Sequence, residues 1–194
     1  MSHANRGMTW ETMIEYALER YKWRGEAVIT KQHTKFIPIR NRYGVVVNCK
    51  VEQKATVDFM GRYGSIPVVF EAKNTNTNRI SFSEVQDHQA DFMDDWILDD
   101  SAFAMVLVAF DRMEKFYAVP WPFWRRARQL WKLERGKKEV VSWRGQVWET
   151  TGKASVSPEE MLPEWEIKRD AAHGLALLAG IETYFAQNKN QNNT

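Results

Sequence analysis

The chain has 194 residues, 27 Lys plus Arg against 25 Asp plus Glu, 44% hydrophobic residues and one cysteine, Cys49. That length predicts a single domain with a core that needs no staples, and one cysteine excludes a disulfide framework or a cysteine-based zinc cluster. The longest apolar run, residues 102–110, is far short of the ~20 residues that span a bilayer, and the polar start MSHANRG has no apolar signal core. A cytoplasmic protein without membrane contact is the expectation.

Residues 8–22 predict a helix, with Trp10, Ile14, Ala17, Leu18 and Tyr21 at helical spacing, Thr9 as cap and Gly25 just past the end. A β-rich stretch at 27–30 precedes a hairpin over 35–51, its strands 35–40 and 45–51 joined by the NRYG turn. Short strands follow at 56–59 and 66–73 around a turn at 61–64, and the NTNTN segment 74–78 reads as a loop. A helix over 83–95, a buried strand at 103–110 and another at 115–119 come next. Residues 122–133 predict a basic, aromatic helix, 140–148 a β segment around an Arg144–Gly145 turn, and 157–163 a loop or short helix. A last helix is expected over 170–185, with Leu175, Leu178, Ile181 and Phe185 on one core or dimer-packing stripe, before a frayed Asn-rich tail at 187–194. Helices interleaved with strands fit a mixed α/β domain over 1–186, and most of the nine tryptophans are expected as core anchors.

The net charge of +2 conceals a pattern: residues 1–62 sum to +5, 63–110 to −6, 111–145 to +6 and 146–194 to −3. Two basic blocks around an acidic middle suit a polyanion bound about a divalent cation, which phosphates and carboxylates can share. Ordinary solvated charge on several helices is the plainer alternative.

Chemistry concentrates in Thr56-Val57-Asp58-Phe59 and Val68-Val69-Phe70-Glu71-Ala72-Lys73. Alternate strand residues share a face, so Glu71 and Lys73 project together while Ala72 faces the core. Pairing of the two segments would bring Asp58 beside Glu71. Two carboxylates and the Ala72 carbonyl are hard oxygen donors of the kind Mg²⁺ takes, and Lys73 beside them could orient water or offset phosphate charge. An isolated D…ExK pattern occurs often by chance, but here an apolar run, Ile66 and Val68 to Phe70, delivers the charged residues to the end of a buried strand, which a surface ion pair would not need.

With these residues the chain resembles the RecU-type Holliday junction resolvases, a branch of the PD-(D/E)xK nuclease superfamily. The resemblance runs over about residues 5–141 through Asn5-Arg6-Gly7-Met8, Glu11, Thr56-Val57-Asp58-Phe59, Phe70-Glu71-Ala72-Lys73 with Thr75, Asp87-His88-Gln89, Ala109-Phe110-Asp111, and Phe123-Trp124 through Gly136-Lys137-Lys138. It departs from the pattern in having Val57 where the motif carries proline, and the segment after Trp148 has no counterpart in these motifs.

The resemblance implies a restriction-endonuclease-like α/β fold, a mixed β-sheet flanked by helices with the 35–51 hairpin as a projecting stalk. It also implies a homodimer that nicks opposing strands of four-way junction DNA symmetrically with Mg²⁺, Mn²⁺ being able to substitute. Asp58 and Glu71 would be metal ligands, with the Ala72 carbonyl and Glu11 as further donors; Lys73 would be the catalytic lysine and Gln89 a residue near the scissile phosphate. Glu15, one turn after Glu11, could replace it, and His88 is a weaker candidate because Mg²⁺ avoids imidazole. DNA contacts are expected from Arg6, from Lys31, Lys35, Arg40, Arg42, Tyr43, Lys50 and Lys54 on or near the stalk, and from Arg125, Arg126, Arg128, Lys137 and Lys138. A duplex or flap nuclease, or a non-catalytic junction-binding recombination factor, are the competing readings.

Overall fold

A computed structural model of the chain describes residues 9–53, 55–98, 100–134, 136–181 and 184–185. The expected tail at 187–194, Arg6 and Lys54 lie outside the described residues. Helix α1 (Trp10–Trp23) starts where the Thr9 hydroxyl accepts the Thr12 N–H, and it buries Trp10, Ile14, Ala17, Leu18 and Tyr21, the stripe its sequence predicts. After it come β1 (Ala27–Lys31), β2 (Lys35–Arg40), β3 (Val46–Gln53), β4 (Phe59–Tyr63), β5 (Ile66–Thr75) and β6 (Ile80–Ser81). Helix α2 (Asp87–Trp96), β7 (Phe103–Phe110), β8 (Lys115–Pro120) and α3 (Trp121–Leu133) complete the central part. The C-terminal part holds the short strands β9 (Val140–Trp143), β10 (Gln146–Glu149), β11 (Ser155–Val156), β12 (Arg169–Asp170) and β13 (Gly174–Leu175). No helix among the described residues is long and apolar enough to cross a membrane.

The fold is mixed α/β, as the sequence predicts. Its central sheet has the order β1-β4-β5-β7-β8, antiparallel throughout except for the β5–β7 pair, which is parallel. The parallel pair needs a crossover, and α2 lies on it. Every residue of β7 is buried, because both faces of the sheet are covered. Phe103, Met105, Leu107 and Ala109 pack with α1 and the C-terminal Leu175, Leu178 and Ile181. Their alternates Ala104, Val106, Val108 and Phe110 pack with α2 and α3.

The same alternation along β5 decides where the chemistry points. Val68, Phe70 and Ala72 belong to the α1 side, while Val69 belongs to the α2 side, so Glu71 and Lys73 share the α2 side.

Four expected elements are corrected. The strand expected at 56–59 begins only at Phe59, and the turn expected at 61–64 is displaced to Gly64 and Ser65. Gly61 sits inside β4 because a Cβ there would come within 2.0 Å of the Val28 carbonyl oxygen on β1; this glycine serves close approach, not a turn. The helix expected from residue 83 starts at Asp87, after a 3₁₀ turn at Phe82–Glu84 and an extended Val85. The helix expected over 170–185 opens instead as the β12–β13 hairpin. Asp170 Oδ1 there accepts the His173 N–H at 2.5 Å and Gly174 takes φ +81°, a turn geometry that stops a helix.

The β2–β3 hairpin forms a two-stranded sheet of its own, exposed on both faces from Lys35 to Lys50. It is the hairpin the sequence predicts over 35–51. At its tip the Asn41 side chain accepts the Tyr43 and Val45 N–H groups, and Arg42 lies 4.7 Å over the Tyr43 ring.

Candidate active site

The ladder between β4 and β5 ends at Phe59 opposite Phe70. Immediately beyond it, side chains replace the missing strand bonds. The Asp58 N–H donates to Glu71 Oε2 at 3.1 Å, and the Ala72 N–H donates to Asp58 Oδ2 at 2.9 Å. Each carboxylate is thereby fixed by backbone belonging to, or next to, the other. The N–H and C=O of a strand residue address the same neighbour, so the Ala72 carbonyl also faces Asp58.

Glu71 is 1% exposed. Its Oε1 accepts from Lys73 Nζ at 2.8 Å and from Gln89 Nε2 at 2.5 Å. Gln89 stands in the first turn of α2, and its Oε1 accepts the Gln86 N–H at 2.9 Å. That second bond fixes which end of the amide faces Glu71: the NH₂ group must. Burial, and next the charge of Asp58, push the Glu71 carboxyl up to about 7, against the opposing pull of Lys73. The paired acids thus carry more negative charge than one lysine offsets. A divalent cation answers that imbalance, and two carboxylates with a carbonyl suit Mg²⁺, which keeps several waters and needs few protein ligands. The residues present fit such an ion.

Glu11 stands apart from this group. On α1, over the opposite side of the sheet, Glu11 Oε2 and Glu15 Oε1 lie 2.7 and 2.6 Å from Lys31 Nζ, and the two acids hold the Lys31 ammonium well above its usual range. Among the described residues no three His, Cys, Asp or Glu side chains form a metal-binding group. Lys31 is nevertheless close in the sheet, opposite Phe59, and the next residue's N–H, that of Gln32, donates to the Asp58 carbonyl at 2.7 Å. His88 is exposed at the start of α2.

The expected DNA contacts divide into two groups. Arg40, Arg42, Tyr43 and Lys50 are exposed along the hairpin, as is Lys35, which pairs with Glu52 at 2.5 Å. The cations of α3 mostly serve partners within the chain: Arg125 pairs with Asp94 at 2.8 Å, and Arg126 grips both Glu139 oxygens at 2.7 and 2.5 Å. The Arg128 side chain, 11% exposed, donates to Asp87 at 2.5 Å and to the Val85 carbonyl at 3.2 Å. Lys137 pairs with Glu134, and Lys138 is exposed. Sequence reasoning missed Gln86 as the residue that orients Gln89; the Gln86-x-x-Gln89 spacing of a helix start was the available signal.

The family model described as recombination protein U matches residues 5–144, most of the chain. The chain belongs to the RecU family. Among RecU relatives, the Holliday junction resolvase RecU of Streptococcus gordonii is 31% identical over 144 residues, covering 71% of this chain and 70% of that protein. The Holliday junction resolvase RecU of Lactobacillus delbrueckii subsp. bulgaricus is 27% identical over 198 residues, covering 98% of this chain and 85% of its own. That second alignment takes in the segment after Trp148, which the RecU motifs themselves left without a counterpart.

Proposed function

We propose that this chain is a divalent-metal-dependent endonuclease that resolves four-way DNA junctions, acting as a homodimer. The observation that carries the reading is the convergence of Asp58, Glu71 and Lys73 at the end of β5, joined to relatives named Holliday junction resolvases.

Asp58, Glu71 and the Ala72 carbonyl would hold Mg²⁺ or Mn²⁺. Bound there, the ion supplies Lewis acidity toward a phosphodiester and lowers the pKa of a coordinated water. Gln89 keeps Glu71 in one orientation. Lys73, partly open to solvent beside Glu71, orients the attacking water and offsets charge that gathers on the phosphate during in-line hydrolysis, which leaves a 5′-phosphate and a 3′-hydroxyl. Glu11, paired with Lys31 on the α1 side of the sheet, is left out of the ion's ligand set.

Twofold symmetry gives paired nicks, because two identical sites face opposing strands of a near-symmetric substrate. The hairpin supports the same reading. Phe36, Ile37, Ile39, Val46 and Val51 are each more than two-fifths exposed, and a lone two-stranded ribbon is marginal in water without a partner to cover it. Its basic residues and Tyr43 suit the junction centre, where phosphates converge and base faces open.

The test is a side-by-side digest of a mobile four-way junction, a fork, a flap and linear duplex, all end-labelled, in Mg²⁺. Symmetric nicks in the junction are expected, and Asp58→Asn should abolish them while leaving junction binding intact. Preference for duplex would overturn the resolvase reading, and normal cutting by Asp58→Asn would overturn the site.

A further inference from the structure

We propose that Arg128, on α3, is a positioning residue for the carboxylate site and reaches Glu71 through Gln86 and Gln89, not through DNA. The inference rests on the metal-dependent nuclease reading of that site. Its basis is a continuous line of contacts. The guanidinium takes the Val85 carbonyl with Nε and Asp87 Oδ1 with Nη2, so it grips the chain on both sides of Gln86. The N–H of Gln86 holds Gln89 Oε1, and Gln89 Nε2 holds Glu71 Oε1.

Each link has a physical consequence. Val85 is fully buried and extended, so the chain leaves helical geometry between the 3₁₀ turn at Phe82–Glu84 and the Gln86–Gln89 capping box that opens α2, and contacts from outside bear on that corner. α3 supplies the shape: Trp124 packs edge-on against Phe82 at 5.1 Å, and Arg128, one turn further on, closes the corner. Lys132 adds a second cation on Asp87 Oδ1 at 2.5 Å. Were the corner to relax, Gln86 would withdraw its N–H and the Gln89 amide could rotate. Its carbonyl would then face a buried carboxylate, a repulsive contact in low dielectric. A phosphate could recruit Arg128 only by taking it from Asp87 and Val85, since the side chain is 11% exposed. A lysine cannot replace the fork, because one ammonium on a flexible stem does not reproduce its planar two-point grip.

The experiment compares wild type with Arg128→Lys, Arg128→Gln, Gln89→Ala and the Arg128→Gln/Gln89→Ala double variant. Four quantities are read: Mn²⁺ affinity by calorimetry, single-turnover junction cleavage, junction affinity against salt in EDTA, and urea midpoint. Removal of a side chain that orients a metal ligand weakens metal affinity or activity about 10–100-fold, so Gln89→Ala should fall in that range and both Arg128 variants near its lower end. The double variant should be no worse than Gln89→Ala alone, since the two residues act in series. The salt slope of junction binding should not change, whereas loss of a phosphate contact reduces it by about one. Arg128→Lys keeps charge and bulk, so its urea midpoint reports whether the fold survives. Additive losses in the double variant, a reduced salt slope, or wild-type Mn²⁺ affinity in a folded Arg128→Lys would overturn the proposal. A wild-type protein that leaves every junction uncut would strike the nuclease reading, and the Mn²⁺ comparison would still decide the role of Arg128.

Discussion

Asp58 and Glu71 brace each other through the main chain: the Asp58 N–H holds Glu71 Oε2, and Asp58 Oδ2 holds the Ala72 N–H. Geometry is therefore set before any ion arrives, and the cost appears as charge. Glu71, pushed up to about 7 by burial and by Asp58, binds its proton more tightly folded than unfolded. Its favourable contribution is complete below the unfolded value of about 4.5 and is lost as pH rises through about 7. In EDTA the urea-derived stability should fall over that window, on the order of 2 kcal/mol. Mg²⁺ or Mn²⁺ should raise the midpoint more at about pH 8 than at about pH 5, because the cation competes with the proton for the same oxygens. Asp58→Asn should flatten both dependences, the amide oxygen still accepting the Ala72 N–H.

Gly61 carries the approach of β1 to β4. An added Cβ would meet the Val28 carbonyl oxygen at 2.0 Å and the Ile29 Cα at 2.6 Å, and backbone has nowhere to yield inside a paired strand. Overpacking of this kind costs about 1–3 kcal/mol, and a contact this short puts Gly61→Ala at the upper end. A urea melt reads the loss. The separation also matters to the site: Lys31 and Gln32 on and just after β1 hold Glu11, Glu15 and the Asp58 carbonyl, so junction cleavage should fall with stability.

How legible these features were depends on the range of the forces that set them. Glu71, Ala72 and Lys73 were readable because strand alternation is local, and a run of buried apolar residues leaves little choice of face. Asp58 was readable as the partner across a short turn, although the turn itself was misread from Gly61, whose role depends on β1, some thirty residues away. The segment after Asp170 carries leucines at helical spacing, and those leucines do enter the core; the Asp170 cap on His173 and the positive φ of Gly174 override the period locally. The bonds Arg128 makes within the chain were not legible, because an Arg on a basic helix carries no sequence mark for a partner in another element. Val85 and Asp87, which it holds, are more than forty positions away.

Glu160 ties the C-terminal part to the central one. Its carboxylate accepts from Arg79 at 2.7 Å, Lys153 at 2.9 Å and the Ser157 N–H at 3.0 Å, while the Arg79 guanidinium also takes the Ser155 hydroxyl and carbonyl. Burial opposes the charged form, but these three donors prevail and hold the carboxyl down at about 2. A depressed value means stability present above the unfolded pKa of about 4.5 and lost as pH falls through about 2. Glu160→Gln should therefore cost about 1–2 kcal/mol at neutral pH, after allowance for solvent screening, and progressively less as pH falls through about 2. Urea midpoints of the two proteins across that range should converge on the acid side.

The hairpin tip separates binding from folding. Tyr43 is 72% exposed and its ring contacts Arg42 of the same turn, so nothing in the core depends on it. Stacking on a base is worth about 1–3 kcal/mol per aromatic side chain, which sets the expectation for Tyr43→Ala at roughly tenfold weaker junction affinity with an unchanged urea midpoint. Arg42→Gln should act differently, weakening junction and duplex binding alike and lowering the salt slope by about one, as loss of a single phosphate contact does. Gel-shift titrations on four-way and linear DNA over a salt series distinguish the two. If Tyr43→Ala binds the junction as wild type does while still discriminating it from duplex, the tip does not enter the junction centre, and junction selectivity rests on another surface.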